Sequence, residues 1–92
     1  MTGESDSLVA NPLVVVQPID GGSVLMDVAT GDCFELNQIG AEIWTLFAEG
    51  RSQASIVAAL VSSYDIRPEA VESDVRALLA DLKRHGLVAP RP

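Results

Sequence analysis

The segment from Val24 to Asn37 runs directly into a second one, Gln38 to Phe47, with no spacer. Two short apolar runs flank Ala29-Thr30-Gly31-Asp32. Glycine reaches positive φ at little cost, and Thr and Asp are turn formers, so this stretch predicts a β-hairpin with a four-residue connection. The second strand ends on Asn37, whose side-chain oxygen suits it to accept an orphan N–H of a first helical turn. Strand, turn, strand and capped helix follow one another without slack, and everything else is placed against that unit.

Upstream, Leu13-Val14-Val15-Val16 is a β-branched run bounded by Pro12 and Pro18. Proline cannot donate to a ladder, which assigns this run to a sheet edge. Asp20-Gly21-Gly22-Ser23 signals a turn. Strands at 13–16, 24–28 and 33–36 then form a meander with the 24–28 strand in the middle. Residues 1–10, small and mostly polar, are expected to form a frayed tail ahead of a domain over 11–92.

Downstream the apolar period is 3.6. Helix one covers about Gln38 to Ala48, with Ile39, Ile43, Leu46 and Phe47 on one face and Gly50 as C′ residue. Ser52 caps helix two, about Gln53 to Ser63, and Tyr64 to Arg67 link it onward. Pro68 suits the first position of helix three, whereas Arg67 is a poor cap. Glu69 and Glu72 complement the positive end of that helix, and Lys83 and Arg84 its negative end. The helix runs to about His85 and Gly86 stops it. Val71, Val75, Leu78 and Leu82 share one face, with Leu79 adjacent, and Leu87-Val88 packs back. The expected fold is α+β and winged-helix-like, a three-stranded antiparallel sheet followed by a three-helix bundle.

Ninety-two residues make one small domain, burying about 60–65% of its unfolded surface. The net charge of −7 opposes nucleic acid, whose affinity comes from neutralising phosphates, and an anionic membrane. A winged-helix DNA-binding regulator is the alternative that the architecture allows, but helix two carries no Lys or Arg from Gln53 to Ser63. No apolar run reaches the roughly 18 residues of a membrane span, and residues 1–7 lack the features of a secretory signal. One cysteine excludes an internal disulfide framework, and a reducing cytoplasm is the simplest setting.

No catalytic set is evident. His85, the sole histidine, sits beside a C′ glycine, where it reads as a partner for the last helical carbonyls. Cys33 is the candidate nucleophile of a third hypothesis, an enzyme, but no basic residue flanks it to stabilise a thiolate; a buried or half-buried thiol is the simpler reading. Neither zinc spacing nor a phosphate loop is present, and no cofactor is expected. The sheet edges are more informative. The first strand is blunted by prolines, whereas Cys33-Phe34-Glu35-Leu36 is not, and its free backbone groups suit addition of a foreign strand. A bare edge, or one capped by the chain's own C-terminal segment, is the plainer alternative, and pairing with a second copy leaves a homodimer open.

The ordered set Leu25, Asp27, Thr30, Gly31, Phe34, Leu36, Asn37, Gly40, Ile43, Trp44, Tyr64, Asp65, Pro68, Gly86 and Leu87 resembles the PqqD-like family, the precursor-peptide recognition elements of ribosomally made, modified peptides. The likeness spans about residues 13–88. It implies a non-catalytic, cytoplasmic adaptor that binds the leader of a precursor peptide and delivers it to a leader peptidase or other modifying enzyme. The leader would lie as an added strand between Asp32, Cys33, Phe34, Glu35 and Leu36 on one wall and Val75, Leu78, Leu79, Leu82 and Lys83 on the other. Many relatives carry a second aromatic where this chain has Cys33, so the groove would differ there. Overall likeness favours the lasso-peptide type; the alternative is service beside a radical-SAM enzyme in pyrroloquinoline quinone assembly.

Overall fold

In the computed structural model, which describes residues 7–91, the chain order is β1 (Leu8–Ala10), β2 (Val14–Ile19), β3 (Gly22–Asp27), β4 (Cys33–Asn37), α1 (Gln38–Ala48), α2 (Gln53–Tyr64), α3 (Pro68–Arg84) and β5 (Val88–Pro90). The expected meander is present: β2, β3 and β4 form an antiparallel sheet in that order. Val16 pairs with Leu25 and Leu25 with Phe34. Side chains alternate across a strand, so one face of the sheet carries Ser23, Leu25, Asp27, Phe34 and Leu36. This face meets the helices; Leu25 and Leu36 are buried.

The hairpin turn closes with two bonds to Asp27: its carbonyl accepts from Gly31 N–H at 2.7 Å and its own N–H donates to Asp32 O at 2.9 Å. Gly31 has φ +80°, the left-handed conformation for which glycine carries no Cβ penalty. The Asp27 carboxylate is 7% exposed. It accepts from Ala29 N–H at 2.9 Å and from the Asn11 side-chain amide at 3.3 Å, which keeps a buried charge hydrogen-bonded.

Helix ends follow the sequence signals. Asn37 accepts from Gly40 N–H at 2.8 Å and Ser52 from Ser55 N–H at 3.1 Å. Arg67 makes no side-chain cap bond. At the end of α3, Gly86 N–H donates to Lys83 O and Leu87 N–H to Leu82 O, the paired bonds of a Schellman stop. α2 runs one residue further than expected, to Tyr64. The Tyr64 hydroxyl donates to Glu42 at 2.9 Å, tying α2 to α1, and this bond holds the phenol above its ordinary pKa. The core gathers Leu25, Leu36, Ile43, Trp44, Phe47, Ile56, Leu60, Val71, Val75, Leu79 and Leu82 between sheet and bundle.

One expectation is corrected within the described residues. The frayed tail assigned to residues 1–10 does not extend through Leu8–Ala10; residues 1–6 lie outside those described. Leu8–Ala10 pair antiparallel with Val88–Pro90, Leu8 opposite Pro90. Leu8 and Val88 are 3% and 2% exposed, so apolar burial outweighs the cost of ordering this short segment. Asn11 fixes the junction: its side-chain amide donates to Gly86 O at 3.0 Å, and its N–H to Leu87 O at 3.0 Å.

Two stability outcomes test this fold. Leu8→Ala is expected to lower the unfolding free energy by about 2–5 kcal/mol, the range for a buried leucine, in urea titrations; a frayed segment would leave it unchanged. A Cβ at Gly22 would run into the backbone carbonyl of Leu36 across the ladder, and backbone cannot swing aside as a side chain can. Gly22→Ala is therefore expected to cost about 1–3 kcal/mol or more, seen as a lowered melting temperature.

Candidate functional site

Antiparallel ladders alternate between bonded and non-bonded pairs. The Asp27 N–H bond to Asp32 sets the phase between β3 and β4. From it, Leu25–Phe34 and Ser23–Leu36 are bonded pairs, and the backbone groups of Cys33 and Glu35 point away from the sheet. Among the described residues no strand pairs with that side. The Val28 N–H bond to Leu13 O sets the phase on the other side of β3. It places Pro18, opposite Ser23, at a non-bonded position of β2, where a missing N–H costs no ladder bond. Of the two edges, β4 is the one able to accept a strand along its length. The alternative that the chain's own C-terminal segment caps this edge does not describe residues 88–90, which pair with β1.

The β4 edge ends directly at the cap of α1, and a cleft of about 310 Å³ opens there, lined by Asn37, Ile39, Gly40, Ile43, Asp74, Leu78 and Asp81. Its floor is aliphatic and its α3 wall carries two carboxylates, of which Asp81 also pairs with Arg84. At the other end of β4, the Phe34 ring meets the His85 ring edge to face with centroids 5.2 Å apart. Phe34 is half-buried and His85 exposed, so this aromatic pair bridges β4 to the end of α3 at the surface. The open β4 edge is thus bracketed by Phe34 and His85 at one end and by Leu78 with Ile39 at the other, and this stretch is the candidate trough.

The residues assigned to the trough from sequence divide into two groups. Asp32, Cys33, Glu35 and Lys83 are exposed, and Phe34 and Leu78 are half-buried. Leu36, Val75, Leu79 and Leu82 are at most 2% exposed; they pack behind the walls and their side chains do not line an open surface. Sequence reasoning left out Ile39, Asp74, Asp81 and the surface role of His85. Asp74, Leu78 and Asp81 follow the i, i+4, i+7 spacing of one helical stripe, a signal that was legible had polar members of the stripe been counted.

Cys33 is exposed rather than buried or half-buried as expected, because it lies opposite Met26 on the sheet face turned away from the helices; its thiol lies 3.8 Å from Gly31 O. Among the described residues there is no group of three or more His, Cys, Asp or Glu placed to hold a metal ion, and no helix is long and apolar enough to cross a membrane.

Comparison with protein families matches residues 22–88 to the family described as "Coenzyme PQQ synthesis protein D (PqqD)". Comparison with curated proteins finds no match. Two solved structures are similar in both sequence and fold. One is TbiB1 in complex with the TbiA(beta) leader peptide, at 34% identity and a TM-score of 0.80, covering 87% of this chain and 93% of that one. The other is a lasso peptide synthetase B1 complexed with the leader peptide, at 31% identity and a TM-score of 0.82, covering 91% of this chain and 99% of that one.

The cap that joins the trough to α1 is open to a direct check. Asn37→Ala removes the acceptor for Gly40 N–H and is expected to cost about 1 kcal/mol by chemical denaturation, with Asn37→Asp retaining most of it.

Proposed function

The chain belongs to the PqqD family, and from that premise we propose that it is a non-catalytic adaptor that binds the leader of a ribosomally made precursor peptide and presents it to a leader peptidase in lasso-peptide assembly. The observation that carries this reading is the outward-facing backbone of Cys33 and Glu35 on the unpaired edge of β4, running into a cleft with an aliphatic floor and two carboxylates on its α3 wall. An extended peptide laid along β4 gains ladder hydrogen bonds irrespective of its sequence. Its alternate side chains fall into the trough, where selectivity arises. Both similar solved structures are leader-peptide complexes, which supports the same role here.

Contact with the peptide falls to the β4 backbone from Cys33 to Leu36, to the side chains of Phe34, Leu78 and Lys83, and to Ile39 and His85 at the two ends. Asp32 borders the trough at the hairpin turn. Val75, Leu79 and Leu82 contribute from behind, by holding α3 at the distance that keeps the trough open. Cys33 presents a smaller side chain than an aromatic would, on the face of β4 opposite Phe34, where the outward side chains of an added strand would lie. The pyrroloquinoline quinone route is the second reading, and it rests on the family description; the leader-bound lasso peptide synthetase B1 favours the first.

Leu78→Asp replaces an aliphatic wall residue by a charge and is expected to weaken binding of a fluorescently labelled cognate leader by about tenfold or more in anisotropy titrations, with the circular dichroism spectrum retained. A leader N-methylated at alternate positions, unable to donate to β4, is expected to lose binding in only one of the two phases. Unchanged affinity for Leu78→Asp and for both methylated peptides would overturn strand addition at this edge.

A further inference from the structure

The two walls of the trough come from separate parts of the chain. β4 is fixed to β3 by its ladder, and α3 is held by the packing of Val75, Leu79 and Leu82 in the core. A strand and a helix share no ladder, so their separation at the surface must be set by side chains. At the His85 end the walls meet through the Phe34 and His85 rings. Phe34 is half-buried and His85 exposed, and a ring pair at the surface is a weak link. A stronger one lies just behind it.

Asn11 belongs to neither wall, yet its side chain reaches both. Its amide nitrogen donates to the Asp27 carboxylate at 3.3 Å and to Gly86 O at 3.0 Å, using both of the protons that an amide carries. Its Oδ1 accepts from Leu13 N–H at 2.9 Å, its N–H donates to Leu87 O and its carbonyl accepts from Val14 N–H, each at 3.0 Å. The two amide partners are placed tellingly. Asp27 N–H donates to Asp32 O, immediately ahead of β4, and Gly86 directly follows His85. One planar group therefore spans from the root of β4 to the stop of α3. Aspartate has the same shape and keeps the acceptor for Leu13, but when ionised it has no proton to donate.

We propose that Asn11 is a positioning residue for leader binding, setting the distance between β4 and the end of α3; the inference rests on the leader-binding reading above. Asn11 touches no peptide and acts through Phe34 and His85. A strand added at β4 needs the ladder and the α3 wall together. A wall that wanders must be ordered at the moment of binding, whereas a wall already fixed carries no such cost. Loss of the bridge therefore weakens binding, chiefly by faster dissociation. The rival is a purely structural Asn11 that does no more than steady the β1–β5 clasp. The two roles separate because the bonds of Asn11 can be removed separately.

The test uses the full chain and the cognate leader as a fluorescein-labelled synthetic peptide, at a temperature where every variant compared is folded. Asn11→Asp removes both amide bonds and keeps the Leu13 bond. Asn11→Asp with Asp27→Asn exchanges donor and acceptor between the two positions: their mutual bond re-forms, position 27 still accepts from Ala29 N–H, and Gly86 O stays unpaired. Leu8→Ala weakens the clasp and spares the bridge. Leader affinity is expected to fall about fivefold or more in Asn11→Asp and to stay low in the exchanged pair, although urea titrations show its stability regained; in Leu8→Ala it is expected within about twofold of wild type. Should the single variant unfold, the exchanged pair carries the test. His85 is the sole histidine, so its ring protons are resolved by NMR and report the Phe34 ring current; they are expected to move toward free-histidine values in both Asn11 variants and to stay in place in Leu8→Ala. Leader affinity and His85 resonances like those of wild type in the Asn11 variants overturn the positioning role and leave the leader reading standing. Affinity that follows stability across all three variants overturns it also, assigning Asn11 to the clasp alone. Failure of the wild-type chain to bind the leader overturns the reading on which the inference depends.

Discussion

Backbone hydrogen-bonding groups are the constraint on which this structure turns. β3 is the one strand of the main sheet bonded on both sides, spending the N–H and C=O groups of alternate residues on β2 and on β4. Each outer strand has a side left over. On β2 the exposed side includes a proline, which removes a donor, and the strand is exposed along most of its length. On β4 the outward groups remain, and an unpaired strand edge invites pairing unless it is covered, bent or charged. Glu35 supplies a charge, yet it stands on the outer face and leaves the edge itself accessible to a peptide approaching from the α3 side.

Keeping such an edge open requires that the rest of the chain be kept from it. The C-terminal segment emerges from α3 near β4 and is the nearest internal strand available. The Gly86 turn sends it elsewhere: Leu87 N–H returns to Leu82, Asn11 binds Gly86 and Leu87, and Val88–Pro90 pair with Leu8–Ala10. The clasp of β1 and β5 thus does two things. It buries Leu8, Leu87 and Val88 beneath a small domain's thin core, and it gives the chain's own free strand a partner other than β4.

The hairpin, the Asn37 cap and the stops at Gly50 and Gly86 were legible in the sequence because each rests on one residue whose chemistry admits few alternatives. The β1–β5 pair was not. Three-residue strands show no period, and their pairing depends on two segments separated by nearly the whole chain. The trough was half legible. Periodicity reveals an apolar stripe on α3, but a stripe broad enough to meet both the core and a groove does not say which member does which. Val75, Leu79 and Leu82 proved to be core and Leu78 the surface member. The family pattern points to β4 and α3, and exposure separates the side chains there that are open to the surface, Phe34, Leu78 and Lys83, from those that are packed.

The two faces of the sheet divide labour according to what each buries. On the helix side, Leu25 and Leu36 are spent on stability, and a peptide reaching inward from β4 meets a surface already fixed by packing. Little on the outer side is spent. Val15, Ile19 and Met26 contribute little to the fold while exposed to water, and a three-stranded sheet with one bare aliphatic face sacrifices part of the burial that a chain of this size needs. A fourth strand changes that balance, because it widens the same pleated surface and brings side chains alongside Cys33 and Glu35. A strand added at this edge would take its register from the same ladder, which would align its outward residues with those of β2 and β3.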